Sequence, residues 1–160
     1  MMPKKLVVYY SKTGNTKIVA ETIAKKAKAD IEELKWEKEI ESKGFMRYFR
    51  GGYNSKLKRK VKIQALEKNL DDYDTIFIGT PIWAGNMNPA IRTFLKNHQL
   101  QNKKVALFCT CAGEGGNNLD ELKGMMEGNE IIGNKIFMRS DKTSEEDRVK
   151  EAEEWIKEIK

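Results

Sequence analysis

The chain has 160 residues, 39% hydrophobic and 34% charged, with a formal net charge of +6. That length holds one packed domain and is short for two, and strongly apolar segments among the charges exclude global disorder. No apolar run approaches the roughly 20 residues that cross a bilayer, two cysteines one residue apart make no disulfide framework, and MMPKKLVVYYSK turns polar too soon for a secretory signal, so a reducing, cytoplasmic setting is expected.

Leu6–Tyr10 (LVVYY) is a continuous apolar, β-rich run, which predicts a strand buried on both faces. Ser11–Thr16 (SKTGNT) follows as a polar loop, with Thr16 the expected cap of a helix to about Ala29; Ile18, Val19, Ile23, Ala24 and Ala27 recur there at helical spacing. Ile31–Lys38 sets Leu34 and Trp36 against Glu33, Lys35 and Glu37, the pattern of a half-exposed strand at a sheet edge. Between Lys43 and Lys62 stand eight basic residues and no acidic one, so the basicity belongs to one segment. That segment reads as a short helix, a loop and an extension into the next helix.

Order returns at Thr75–Gly79 (TIFIG), a second buried strand introduced by the turn-like Asp71–Asp74. A loop over Thr80–Asn88 (TPIWAGNMN) precedes a helix at Pro89–Asn97, with proline in its first turn. Lys104–Cys109 is a third buried strand, and the glycine-rich Thr110–Asn117 (TCAGEGGN) leads to a helix near Leu119–Glu127. Ile131–Met138, interrupted by Gly133–Asn134, is the last predicted strand. Ser144–Lys160 closes the chain as an amphipathic helix with Val149, Ala152, Trp155, Ile156 and Ile159 on one face; Ser144 and Asp147 approximate a capping box.

Alternating strands and helices imply a parallel sheet covered on both faces, with ligands outside the carboxyl ends of its strands. The loop Ser11–Thr16 suits a phosphate: the first N–H groups of a helix lack partners, the helix dipole favours an anion there, and Gly14 permits a tight backbone. The hydroxyls of Ser11, Thr13 and Thr16 and the amide of Asn15 add neutral donors. The loop lacks the Gly-Lys-Ser/Thr ending of a triphosphate loop and the G-x-G-x-x-G of a dinucleotide turn, so a monophosphate fits best. An ordinary polar turn with a helix cap is the competing reading.

S-K-T-G-N-T after a first hydrophobic strand resembles the FMN-phosphate motif of flavodoxins. Gly79–Leu95 (GTPIWAGNMNPAIRTFL) resembles the first flavin-flanking loop and its following helix, and Phe108–Asn118 (FCTCAGEGGNN) the second. The resemblance covers nearly the whole chain except the basic segment. It implies a single three-layer flavodoxin-like domain of the short-chain type, with a five-stranded parallel sheet of order 2-1-3-4-5 and helices on both faces. It also implies one FMN. Its phosphate would rest on Ser11, Thr13, Gly14, Asn15 and Thr16. Its ring would lie between Thr80, Pro81, Ile82, Trp83, Ala84, Gly85 and Asn86 on one side and Thr110, Cys111, Ala112, Gly113 and Gly115 on the other.

The residue chemistry suits that assignment. A flat, partly apolar ring needs an aromatic or apolar wall, which Trp83 and Met87 can give, and a peptide beside Gly85 can reorient cheaply to meet the ring edge. The alternative for Trp83 is a place in the core. The second loop has no aromatic residue, unlike many flavodoxins, which leaves one ring face more open. Cys109 reads as core, and C-x-C is not the C-x-x-C redox spacing. His98, the only histidine, sits at a helix end without a triad partner, and no cluster has metal-ligand spacing, so no catalytic or metal residue is assigned beyond the flavin itself.

The leading functional expectation is an FMN electron-transfer protein. The alternatives are an NAD(P)H-dependent FMN oxidoreductase acting on a small acceptor such as a quinone, and a binding module without turnover. The segment 43–62 can steer an acidic redox protein or receive NAD(P)H phosphates. Its Phe45, Tyr48, Phe49 and Tyr53 also permit nucleic-acid contact, the weaker reading. A solvated face with aromatics packed on the domain is the bland one. Monomer and homodimer both remain open.

Overall fold

β1 (Lys5–Tyr9) is buried from Leu6 onward on both faces, as a continuous apolar run requires, and it lies inside the sheet rather than at its rim. The structure, a computed structural model, describes residues 4–12, 14–35, 63–83, 86–111, 118–138 and 142–159, with the side chains of residues 83, 86, 87 and 118 outside that description. The other strands are β2 (Asp30–Glu33), β3 (Thr75–Trp83), β4 (Asn86–Met87), β5 (Lys104–Thr110) and β6 (Glu130–Phe137). Five of them form a parallel sheet in the order β2-β1-β3-β5-β6, the expected 2-1-3-4-5 when the short β4 is set aside.

Helix α1 (Asn15–Ala27) and helix α4 (Glu145–Glu158) cover one face of the sheet; α2 (Pro89–Asn97) and α3 (Asn118–Gly124) cover the other. The alternation of side chains along each strand decides which residue meets which pair of helices. Val7, Tyr9, Phe77, Ala106 and Phe108 face α1 and α4, where Phe108, Phe137 and Trp155 meet edge to face at centroid separations of 6.0–6.3 Å. Leu6, Val8, Ile76, Ile78, Leu107, Cys109 and Cys111 face Ile91, Phe94 and Leu122 of α2 and α3. Gly79 makes the first face possible: a Cβ there would lie 2.2 Å from the Phe108 ring.

Several expected boundaries move. β2 ends at Glu33 and does not run on to Lys38; Leu34 turns into the core, and residues 36–38 lie outside the description. α1 stops at Ala27, because Lys28 adopts a left-handed conformation and its N–H, with that of Ala29, closes on Ala24 O. α3 ends at Gly124 and gives way to turns, so the helix expected to reach Glu127 is shorter. In β6 the expected interruption near Gly133 appears as a register shift opposite Val105 and Ala106.

The largest correction concerns Thr80–Trp83, expected as loop and found as strand. β5 runs on to Thr110, so β3 keeps a partner through Thr80↔Cys109 and Pro81↔Thr110, then pairs antiparallel with β4. A proline is tolerated there for a geometric reason. Gly79 O accepts from Tyr10 N on the β1 side, and two residues on, Pro81 directs its backbone to that same side, where β1 has already ended.

Candidate functional site

Three connections leave the carboxyl ends of β1, β3 and β5 beside one another. The first joins β1 to α1. Ser11 Oγ accepts the Gly14 N–H at 3.1 Å, and Gly14 takes φ +98, a left-handed value that favours glycine, with nothing within 4 Å of where a Cβ would stand. Gly14 is thus the residue before α1, and it offers no side-chain cap; the first turn of α1 carries no acidic residue either. Thr16 does not cap the helix as expected. It is 1% exposed, and its Oγ1 lies 2.7 Å from Thr110 Oγ1 at the end of β5, in a bond either hydroxyl can donate.

That bond follows from the pleat. Phe108 faces α1, so Thr110, two residues on, does too, while Cys109 and Cys111 face the other way. Cys111 instead ties β5 to β6 through its N–H to Phe137 O at 3.1 Å. Burial, with the neighbouring Cys111 as a lesser cause, pushes the Cys109 thiol up to about 12, so it stays protonated and inert at neutral pH.

The second connection is braced from behind. Fully buried Thr80 accepts the Asn88 N–H at 3.1 Å and donates to Pro81 O at 2.9 Å; Asn88 Oδ1 in turn caps α2 through the Ala90 N–H at 2.8 Å. Ile82 is 9% exposed and packs in the core. One turn into α2, buried Arg92 pairs with Glu121 in the first turn of α3. This pair joins the two helices that follow the second and third connections. Its signal was half legible: an arginine inside the apolar PAIRTFL is conspicuous, but a partner 29 residues away is not.

The structure therefore gathers Ser11, Gly14, Asn15, Thr16, Thr80, Pro81, Thr110 and Cys111 at one end of the sheet. Trp83 and Asn86 are placed as backbone, in β3 and β4. Thr13, Ala84, Gly85, Ala112, Gly113, Gly115 and the basic segment 43–62 lie outside the described residues. His98 ends α2, its ring tilted against Phe94 at 5.3 Å, and no metal-ligand cluster occurs among the described residues. At the opposite pole, a recess of about 620 Å³ is lined by Lys5, Lys28 and Lys104 together with Ile132, Ile156 and Ile159.

A family model described as flavodoxin matches residues 4–159. A flavoprotein from Lactobacillus acidophilus, solved in complex with FMN, is 25% identical, with a TM-score of 0.67 over 84% of this chain and 93% of that one. A protein from Bacteroides eggerthii is 26% identical, with a TM-score of 0.75 over 99% and 98%. The two-electron reduced flavodoxin of Megasphaera elsdenii, 24% identical with a TM-score of 0.58 over 96% and 99%, shares the fold.

Proposed function

The chain belongs to the flavodoxin family, and on that premise we propose that it binds one FMN at the carboxyl ends of β1, β3 and β5 and serves as an electron carrier. The observation that carries this reading is the start of α1. A helix whose first N–H groups face neither a side-chain cap nor an acidic first turn, after a left-handed glycine, has the donor set an anion needs. The neutral hydroxyls of Ser11 and Thr16 fit a phosphate and require no metal.

In this reading Ser11 fixes the loop by holding the Gly14 N–H, and its own proton remains available to a phosphate oxygen. Asn15 and Thr16 present the first-turn N–H groups. Thr80 and Asn88 tie β3 to the start of α2, bracing the backbone on either side of residues 84–85. The bound flavin supplies the redox chemistry; these residues place it and exclude water from its phosphate.

Fluorescence titration tests the binding: FMN is expected to bind far more tightly than riboflavin, which lacks the phosphate. An anaerobic stopped-flow mixture of the FMN-loaded protein with NADH or NADPH then separates carrier from oxidoreductase. Slow reduction by either nucleotide, with rapid exchange with a reduced protein donor, supports the carrier. Rapid turnover with NAD(P)H and a quinone would replace it with the oxidoreductase.

A further inference from the structure

The pair Thr16–Thr110 contains more protons than it can use. Each hydroxyl has one proton and two lone pairs. At 2.7 Å, one proton lies between the two oxygens and the other must find a third group. Both side chains are buried, Thr16 at 1% exposure and Thr110 at 2%, so bulk water is a poor acceptor. Among the described residues no acceptor takes that second proton. An oxygen brought within reach of one of the two hydroxyls would set the polarity of the pair.

Position favours one polarity. Thr16 is the second residue of α1, at the positive end of the helix, where an anionic oxygen is attracted; Thr110 terminates a strand and has no such field. An anion at α1 accepts the Thr16 proton, and Thr110 must then donate to Thr16 Oγ1. In this chain of donors each link polarises the next.

We propose that Thr110 is a positioning residue that sets the preference for phosphate-bearing flavin: by donating to Thr16 it commits the Thr16 proton to the phosphate. This rests on the FMN reading above. Riboflavin, whose terminal hydroxyl carries no charge, gains little from the same arrangement. Because Thr110 also opens the loop that would border the ring, the phosphate and ring sites share one hydrogen bond across 94 residues of sequence.

The test compares FMN and riboflavin affinities in wild type, Thr110→Val, Thr110→Ser, Thr16→Val and the Thr16→Val/Thr110→Val double variant. Thr110→Val keeps the shape and removes the donor. It is expected to weaken FMN by about three- to tenfold, the size of one neutral hydrogen bond, and riboflavin by less than twofold. Thr110→Ser restores the FMN value, which also separates the effect from misfolding. In the Thr16→Val background, Thr110→Val changes nothing further. Equal losses for both flavins, no loss for either, or an undiminished Thr110→Val effect without Thr16 would each overturn the relay. If wild type itself does not discriminate FMN from riboflavin, the phosphate reading fails and takes the relay with it; if wild type discriminates and Thr16→Val does so equally, the relay alone is overturned.

Discussion

α1 and α4 lie side by side on one face of the sheet, yet their amino termini are built in opposite ways. α4 begins with Ser144, whose Oγ accepts the Asp147 N–H at 3.1 Å, and its first turn holds Glu145, Glu146 and Asp147. α1 begins with a left-handed glycine, no side-chain cap, and a first turn without acid. A helix start that serves only stability satisfies its own N–H groups and answers its own dipole. α1 leaves both undone. Their contrast, within one domain and one solvent, marks the difference between a structural end and a receptive one.

Making α1 resemble α4 breaks the contrast most severely. Asn15→Asp places a carboxylate in the first turn. At an effective dielectric of about 20, its repulsion of a phosphate a few ångströms away is on the order of 2–4 kcal/mol, or roughly thirtyfold or more in FMN affinity. Riboflavin affinity should hardly move, and the flavin-free protein should gain about 0.3–1 kcal/mol from the dipole. Isothermal titration with both flavins, beside thermal unfolding of the apoprotein, reads the opposed signs directly. A stabilised variant that still binds FMN normally would show that α1 is not receptive.

The reverse operation is gentler. Ser144→Ala should cost about 1 kcal/mol, a fall of roughly 2–4 °C in Tm for a domain of this size, with FMN affinity unchanged. Smaller still, Glu145→Gln with Glu146→Gln should remove about 0.3–1 kcal/mol of dipole stabilisation at low ionic strength. In high salt that loss should vanish, since both groups are exposed.

Cys109 bounds the pH range in which these comparisons are clean. Its thiol pKa is raised from 9.0 in the unfolded chain to about 12 by burial. A raised value means the folded state holds the proton more tightly, so the contribution is complete below pH 9 and is lost as pH climbs toward 12. Stability measured by denaturant should therefore slope downward above pH 9. Cys109→Ala, less stable at neutral pH because of the cavity, should lack that part of the slope.

Much of this was legible in the residues. LVVYY, TIFIG and KVALFC are apolar runs, apart from the first residue of the last two, and such runs place strands inside a parallel sheet. The cap of α4 was legible because Ser144 and Asp147 are local. What sequence obscured was partnership at a distance. Thr16 has the composition of a cap, but Thr110 competes for its hydroxyl from β5. Thr80–Trp83 has the proline of a loop, but the length of β5 decides that it remains strand. Arg92 stands out inside PAIRTFL, but nothing local marks Glu121 as its partner.

The extension of β3 past Gly79 has a consequence for solubility. Beyond Gly79, β3 has no β1 partner among the described residues, and an unpaired strand edge is a template on which a stray segment of another chain can add itself. Pro81 stands at that step with its ring nitrogen toward the missing neighbour, so the edge lacks the donor such an addition would need. The residue that looked like a strand breaker thereby guards the strand, and Pro81→Val is the substitution expected to turn this lip into a nucleus for aggregation.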